Sequence, residues 1–103
     1  MRHFRSRDFR AKQAWDAQDI AEMNGISVRM HWANEPYMWH VNDGEEVFAV
    51  LDGAVDMHVK QDGVVRIIPL LAGDVFHAQA GDEHVAHPLG EARILVIEKR
   101  GSV

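Results

Sequence analysis

From residue 26 onward the chain alternates short runs of β-branched and apolar residues with turn pairs such as Asp-Gly and Ala-Gly. Each Asp-Gly pair is a strong hairpin signal, because glycine tolerates the positive φ that tight turns need. Many short strands with regular turn signals are typical of an all-β sandwich or barrel. The pattern predicts eight strands, over residues 26–31, 37–41, 46–51, 55–60, 64–70, 74–78, 83–87 and 92–99.

The segment before these strands has a different spacing. Within residues 14–23, acidic residues interleave with Ala14, Trp15, Ile20 and Met23 at a spacing that suits a short amphipathic helix, and Asn24-Gly25 would end it. We therefore predict an N-terminal basic arm with a short helix over residues 1–23 and an all-β barrel over residues 24–103.

Two predicted strands are apolar on both faces, whereas others alternate. Residues 55–60 alternate apolar and polar side chains, which predicts one buried face and one solvated face. Residues 47–51 and 94–97 are apolar throughout, which is typical of strands covered on both sides. The barrel core would cover one face of these strands, and a sheet of a second subunit would cover the other. The pattern therefore favours a homodimer.

Length and composition restrict the chemistry. The 103 residues suffice for one domain with a packed core, and 47% of them are hydrophobic. There are no cysteines, so a metal site would use histidine and carboxylate ligands. No apolar run approaches the ~20 residues that span a bilayer, and the start lacks the apolar segment of a secretory signal. We expect a cytoplasmic protein with no membrane partner.

The charge is unevenly distributed. The formal net charge is −5, but the first twelve residues contain five basic residues and one acidic residue. An acidic body repels phosphate, and Asp8 interrupts the short arm, so we expect no nucleic-acid partner. The arm is better suited to rest on the acidic surface of its own or a neighbouring subunit.

A first group of polar residues begins at His40. Residues two apart on a strand point the same way, so His40 and Asn42 can both face a barrel interior. Asp43-Gly44 would then fold Glu46 back beside His40, so that an imidazole and a carboxylate come within reach of one ion. Gly53, seven residues after Glu46, marks the hairpin that ends this strand.

A second group lies far away in sequence and contains Gly73, Gly81 and His84. Together the two segments resemble the two cupin motifs, G(x)5HxH(x)3–4E(x)6G and G(x)5PxG(x)2H(x)3N. The chain also resembles the small single-domain cupins related to mannose-6-phosphate isomerase, in residues 39–40, 46–53, 73–76 and 91–98. The resemblance covers about residues 24–100 and implies a double-stranded β-helix, the cupin jelly-roll barrel.

The resemblance implies a divalent metal ion, such as Zn, Fe, Mn or Ni, held by His40, Glu46 and His84. Two histidines and one carboxylate leave coordination positions open for water, oxygen or a chelating substrate. The sequence departs from the motifs at four positions: Asn34, Asn42, Gln79 and Pro88. Asn42 replaces a histidine, so it is predicted to be a weak fourth ligand or only a hydrogen-bonding neighbour of the site.

Several residues are candidates for the walls of a ligand cavity. His31, Trp39 and His77 could line it, and so could other members of the aromatic cluster around Trp39, although such residues are more often core. Arg29, Arg66 and Arg93 are the arginines in the middle of the barrel. None has an evident inward position, which argues against a phosphorylated substrate.

The favoured function is therefore a small metal-binding cupin with an interior site for a small-molecule ligand or substrate. Metal-dependent isomerisation or oxygen-dependent cleavage are the candidate reactions. The alternatives are a non-catalytic ligand-binding or sensing barrel and a structural dimer without metal. Fold alone does not decide between them.

Overall fold

The computed structural model describes residues 1–102 and consists almost entirely of β-strands. A single 3-10 turn, η1, spans Ser6–Asp8. The nine strands are β1 Ala17–Met23, β2 Ile26–Ala33, β3 His40–Val41, β4 Glu46–Asp52, β5 Ala54–Gln61, β6 Val64–Leu71, β7 Val75–Ala78, β8 Glu83–Pro88 and β9 Ala92–Lys99.

The strands form two antiparallel sheets. The larger sheet has the order β1-β2-β9-β4-β7, and the smaller sheet has the order β3-β8-β5-β6. Successive strands therefore mostly lie in different sheets: six of the eight connections cross between the sheets, and only β1–β2 and β5–β6 stay within one. This topology confirms the predicted all-β fold, and every predicted strand coincides with an observed one.

The predicted N-terminal helix is wrong, because residues 17–23 form strand β1 along the edge of the larger sheet. Asn24 and Gly25 have φ values of 53° and 80°. Two consecutive residues with positive φ suit the tight turn of a β-hairpin, so Asn-Gly connects β1 to β2 where it was expected to end a helix. The pairing shifts between Asp19 and Ala21, which leaves Ile20 as a bulged residue.

The core lies between the two sheets. Phe48, Val50 and Ile94 contribute from the larger sheet, and Val55 and Met57 contribute from the smaller one. Because strand residues alternate, Glu46 points the same way as Phe48 and Val50, into the space between the sheets. The interior is thus apolar at its centre and polar where β4 begins.

The outward face of the larger sheet is partly covered by the N-terminal arm of the same chain. Arg93 donates hydrogen bonds to the carbonyl of Phe9 and to Asp52, both at 2.9 Å. The guanidinium of Arg10 lies over the ring of Trp32 and 3.5 Å from Glu91. Part of the cover that was expected from a second subunit is therefore supplied by residues 1–12.

Within residues 1–102, no helix has the length and hydropathy needed to cross a membrane.

Gly53 occupies a position that admits only glycine. Its φ is +80°, and a Cβ built there would lie 2.4 Å from the carbonyl oxygen of Glu91. The β4–β5 turn therefore packs directly against the backbone that precedes β9. The motif glycine identified in the sequence is explained by this close approach.

Candidate metal centre

Three side chains that can bind a metal converge between the two sheets. His40 in β3 and His84 in β8 are direct cross-strand partners, and their ring centroids are 4.4 Å apart. Glu46 comes from the other sheet, as the first residue of β4. One ligand atom from each of the three lies within 4.8 Å of the others. The two sequence segments thus meet, and this group could hold a metal ion.

The hydrogen bond of His40 fixes which ring nitrogen is free. Its Nδ1 lies 3.0 Å from the carbonyl oxygen of Met38. A carbonyl can only accept, so Nδ1 carries the hydrogen and Nε2 carries the lone pair. Nε2 is buried and has no hydrogen-bond partner among residues 1–102. This is the arrangement in which a histidine is oriented for metal binding by its other nitrogen.

The buried polar atoms of the site fit a cation. Besides His40 Nε2, Glu46 Oε1 and His84 Nδ1 are buried without a hydrogen-bond partner in the described chain. Asn42 Nδ2 is also unpaired, but an amide nitrogen is a hydrogen-bond donor and does not bind a cation. His84 Nε2 lies 3.3 Å from Glu46 Oε1 and 2.8 Å from Asn42 Oδ1. Ligands on one ion with bonds of ~2.1 Å are roughly 3.0–3.4 Å apart in octahedral or tetrahedral geometry. The observed spacings are close to these values, so the donors suit a common ion.

Asn42 is held beside this group by its backbone. Its N–H donates to the carbonyl of Asp82 at 2.9 Å, and its carbonyl accepts from Gly81 N–H at 2.8 Å. The side chain is 6% exposed, and its Oδ1 contacts His84 Nε2. Asn42 is therefore placed to be an oxygen ligand or to accept a hydrogen bond from His84.

Burial shifts the pKa values of two members of the site in the directions that favour the neutral side chains. Burial, with the hydrogen bond and negative charge of Glu98, raises the pKa of Glu46 to about 8. Burial, with the nearby charge of His40, lowers the pKa of His84 to about 4. At neutral pH and without an ion, His84 is neutral, whereas Glu46 is mostly protonated and must lose a proton to bind a metal.

A cavity of about 190 Å³ opens onto the three donors. Its apolar walls include Phe48, Ala86 and Val96, and its polar lining includes Glu98 in addition to the donor group. An engineered cavity of ~150 Å³ accommodates benzene, so this space suits a molecule of about one ring with a few substituents. The cavity is therefore of the size of a small metabolite.

Trp15 forms part of the cavity wall in a strained conformation. Its φ is 71°, which is unusual for a bulky residue. Its N–H donates to the carbonyl of Trp32 at 2.7 Å, and its indole donates to the carbonyl of Glu35 at 2.8 Å. Its own carbonyl accepts from Nδ1 of His31 at 2.8 Å. Three hydrogen bonds thus hold the indole at the cavity, 5.2 Å from the ring of Tyr37.

Of the three residues that were predicted to line the cavity, one does so in the structure. His31 is among the lining residues. Trp39 is not among them and is 47% exposed, since it precedes His40 on an extended segment and its side chain points away from the interior. His77 faces outward from β7 and pairs with Glu45 at 2.9 Å. Trp39 and His77 are therefore not among the lining residues of this cavity.

Sequence reasoning missed Trp15, Arg29 and Glu98, all of which line the cavity. Arg29 lies two residues before His31 on the same strand, so the parity that suggested His31 also indicated Arg29. Glu98 pairs with Glu46 across β4 and β9, but this register could not be fixed from the sequence. Trp15 was obscured by the assignment of its segment to a helix.

Comparison with known proteins agrees with the fold. No protein-family model matches the sequence. A cupin-2 domain containing protein from Shewanella frigidimarina is 31% identical and has a TM-score of 0.77, over 87% of this chain and 85% of that chain. The chain belongs to the cupin family. Nothing in these matches singles out the subgroup related to mannose-6-phosphate isomerase.

Two oxygenases are also similar to this cupin. Mouse 3-hydroxyanthranilate 3,4-dioxygenase is 34% identical over 62 residues, which are 60% of this chain but only 22% of the mouse enzyme. The hydroquinone 1,2-dioxygenase PnpCD, crystallised in complex with Fe3+, has a TM-score of 0.79 at 21% identity, over 88% of this chain and 29% of that chain. This cupin thus spans a minor part of each, and the second likeness concerns the fold alone.

Proposed function

We propose that this cupin is an iron(II)-dependent dioxygenase that cleaves a small hydroxylated aromatic ring. The observation that carries the proposal is the buried group of His40, Glu46 and His84, whose free donor atoms face a ring-sized cavity. Two histidines and one carboxylate with open positions are typical of non-haem iron(II) oxygenases. The local similarity to 3-hydroxyanthranilate 3,4-dioxygenase supports the same reaction class.

The chain supplies binding and orientation for this reaction. His40, Glu46 and His84 would hold the ion, with Asn42 as a weak fourth ligand. An iron(II) ion at this site would supply coordination positions for dioxygen and for a substrate hydroxyl. In the overall reaction one ring carbon–carbon bond breaks and both atoms of dioxygen enter the product, so no external reductant is consumed.

The cavity walls orient the ring and the proton. Phe48 and Val96 provide apolar contact for the ring, and the indole of Trp15 provides an aromatic one. Glu98 lines the cavity next to Glu46, where its carboxylate can accept the proton that a hydroxyl loses on binding. The apolar walls also keep bulk water away from the reacting groups.

The test is dioxygen uptake by protein loaded anaerobically with iron(II). Catechol, 2,3-dihydroxybenzoate and 3-hydroxyanthranilate are suitable first substrates, and ring opening is followed by ultraviolet absorbance. We expect uptake and ring opening in equal amounts, and loss of both in His40→Ala and His84→Ala. His58→Ala is the matched control, because His58 stacks on His87 away from the three donors and should leave turnover unchanged.

Three other functions would give different results. A metal-dependent isomerase of the type related to mannose-6-phosphate isomerase would act without dioxygen. A ligand-binding or sensing barrel would bind metal and ring compounds without turnover. A structural barrel would bind no metal, and His84→Ala would then leave the metal content unchanged.

We also propose a cytoplasmic homodimer in which strand β6 forms the interface. This edge strand carries four apolar residues that are between 50% and 64% exposed, Val64, Val65, Ile67 and Leu71. Exposed apolar edge strands are sites of pairing between chains. Mass measurement in solution should give a dimer for the wild type and a monomer for Ile67→Lys. Leu89→Lys, at another exposed apolar position, should remain a dimer.

A further inference from the structure

We propose that Arg29 selects the substrate by binding an oxyanion, either a carboxylate or a phosphate ester, at the end of the cavity away from the metal donors. The inference rests on the proposed function for the position of the metal-bound end of the ligand. It adds a recognition residue and a chemical class of substrate to that site.

The register of the larger sheet places Arg29 on the inner face. Arg29 pairs with Val96 of β9, and Val96 pairs with Phe48 of β4. Directly paired residues share a face, so Arg29 faces the same way as Phe48, into the cavity. The residues on either side of it, Val28 and Met30, are buried on the opposite face. Arg29 is accordingly one of the residues that line the cavity.

The guanidinium is anchored at one side only. Its Nε donates to Asp19 Oδ1 at 2.8 Å, and Asp19 is its direct partner on β1. Among the hydrogen bonds of residues 1–102, this is the one that the Arg29 side chain makes. The two terminal nitrogens therefore keep their donors for a ligand. A planar guanidinium with free terminal donors matches the geometry of a carboxylate or phosphate.

Arg29 supplies the fixed positive charge of the cavity. It is the single arginine or lysine among the residues that line this space in the described chain. His31 lies beside it, and burial lowers the pKa of His31. Because its Nδ1 donates to the Trp15 carbonyl, neutral His31 has Nε2 as a hydrogen-bond acceptor. An anionic oxygen in this part of the cavity would therefore be attracted by Arg29.

The two ends of the cavity differ in charge. Glu46 and Glu98 form one row across the sheet, and Arg29 belongs to the next inward row, two residues along. With strands ~4.8 Å apart and a rise of ~3.4 Å per residue, the Cα atoms of Arg29 and Glu46 are about 12 Å apart. The Arg29 side chain leans toward Asp19 on β1, on the side of β2 away from Glu46. The space between Arg29 and Glu46 therefore leaves room for one ring. A ring with metal-binding oxygens at one end and an anion at the other suits this arrangement.

The experiment measures binding by calorimetry with two matched pairs of probes, on zinc-loaded and EDTA-treated protein. The first pair is 2,3-dihydroxybenzoate and catechol, which differ by a carboxylate. The second pair is mannose 6-phosphate and mannose, which differ by a phosphate. Zinc prevents oxidative turnover during the measurement. The variants are Arg29→Gln, Arg29→Lys and, as a matched control on another strand, Arg66→Gln.

We expect the wild type to bind one anionic probe about tenfold more tightly than its neutral counterpart, as a charge-assisted hydrogen bond allows. In Arg29→Gln the preference should fall to about twofold or less, while the affinity for the neutral probe stays unchanged. Arg29→Lys should retain part of the preference, and Arg66→Gln all of it. The pair that shows the preference identifies the oxyanion as carboxylate or phosphate.

The inference is overturned if neither pair shows a preference, or if the preference persists in Arg29→Gln. Its failure is distinguishable from failure of the proposed function. Zinc and catechol binding without any anion preference would leave the dioxygenase proposal intact and remove the role of Arg29. An anion preference that depends on Arg29 in protein that binds no zinc would support the role of Arg29 and remove the metal-dependent function.

Discussion

Glu46 and Glu98 are direct partners in the register between β4 and β9, so their side chains lie next to each other on the inner face of the larger sheet. Two carboxylates this close cannot both ionise cheaply, so burial and Glu98 together raise the pKa of Glu46 to about 8. Glu46 is therefore mostly protonated at neutral pH without an ion, and a metal ion that binds its carboxylate must displace this proton. This relationship couples metal binding to pH.

The first prediction is that metal binding releases a proton from Glu46. Because Glu46 must ionise to bind an ion, the apparent metal affinity should rise as the pH increases from 6 to 8 and level off above about 8. Calorimetry of zinc binding in buffers of different ionisation enthalpy counts the released protons. In Glu98→Gln the neighbouring negative charge is gone, so the levelling off should move to lower pH. An unchanged pH profile in that variant would contradict the coupling.

The second prediction concerns the stability of metal-free protein. Between the unfolded pKa of 4.5 and the folded pKa of about 8, the folded state binds more protons through Glu46, so this residue makes stability fall as the pH rises. His84, with a folded pKa of about 4, acts oppositely and makes stability fall as the pH drops below 6.5. The two opposite effects cancel where the ranges overlap, so urea unfolding should show a broad maximum between about pH 4.5 and 6.5.

Glu46→Gln provides the control for this effect. An amide keeps the shape but removes the ionisation, so the decrease in stability from pH 6 to pH 8 should disappear, a change on the order of 2 kcal/mol at pH 8. Equal loss of stability toward pH 8 in Glu46→Gln and the wild type would mean that another group is responsible.

Turn residues and alternation were sufficient to predict eight of the nine strands, because each hairpin is determined by local backbone preference. The ninth, β1, was missed because the spacing of Ile20 and Met23 fits a helix as well as a bulged strand, and Asn-Gly can end a helix or form a hairpin. Only pairing with β2 along its length favours the strand. That pairing is a tertiary interaction, which local pattern does not contain.

Local sequence pattern was also insufficient to predict the whole of the candidate site. The positions of His40, Glu46 and His84 in two motifs predicted that they would meet, but cavity walls depend on which face each strand turns inward. His31 and Arg29 share a face, so the candidate role of His31 in the cavity wall should also have pointed to Arg29, which the sequence analysis did not place inward. His77 had no neighbour whose direction was known. Its outward position follows from the pairing of Phe76 with Phe48. That register depends on contacts between strands far apart in sequence.

The third prediction is that Gly53→Ala destabilises the fold more than Gly63→Ala. Both glycines have positive φ, 80° and 75°, so alanine at either position strains the backbone and lowers the free energy of unfolding by ~1 kcal/mol. A Cβ at Gly53 would also collide with the Glu91 carbonyl, whereas nothing lies within 4 Å at Gly63. Urea unfolding should show an additional loss of ~2 kcal/mol for Gly53→Ala. Similar losses in the two variants would show that the Glu91 backbone moves away readily.

The fourth prediction concerns whether Asn42 is a metal ligand. If its Oδ1 faces the ion, Asn42→Ala should lower zinc affinity about tenfold, less than the loss in His84→Ala, because a neutral amide oxygen is the weaker donor. The Asn34→Ala variant, at an exposed asparagine, should show no change.

Asn42→His separates a ligand from a hydrogen-bonding neighbour. An imidazole at a position that faces the ion adds a strong donor, so zinc should bind about tenfold more tightly than in the wild type. If Asn42 only accepts a hydrogen bond from His84 Nε2, the bulkier ring displaces that partner and zinc binds more weakly. Competition with a chromophoric chelator measures both variants at one pH. Tighter binding in Asn42→His with weaker binding in Asn42→Ala would make residue 42 a fourth ligand position, which this chain fills with an amide.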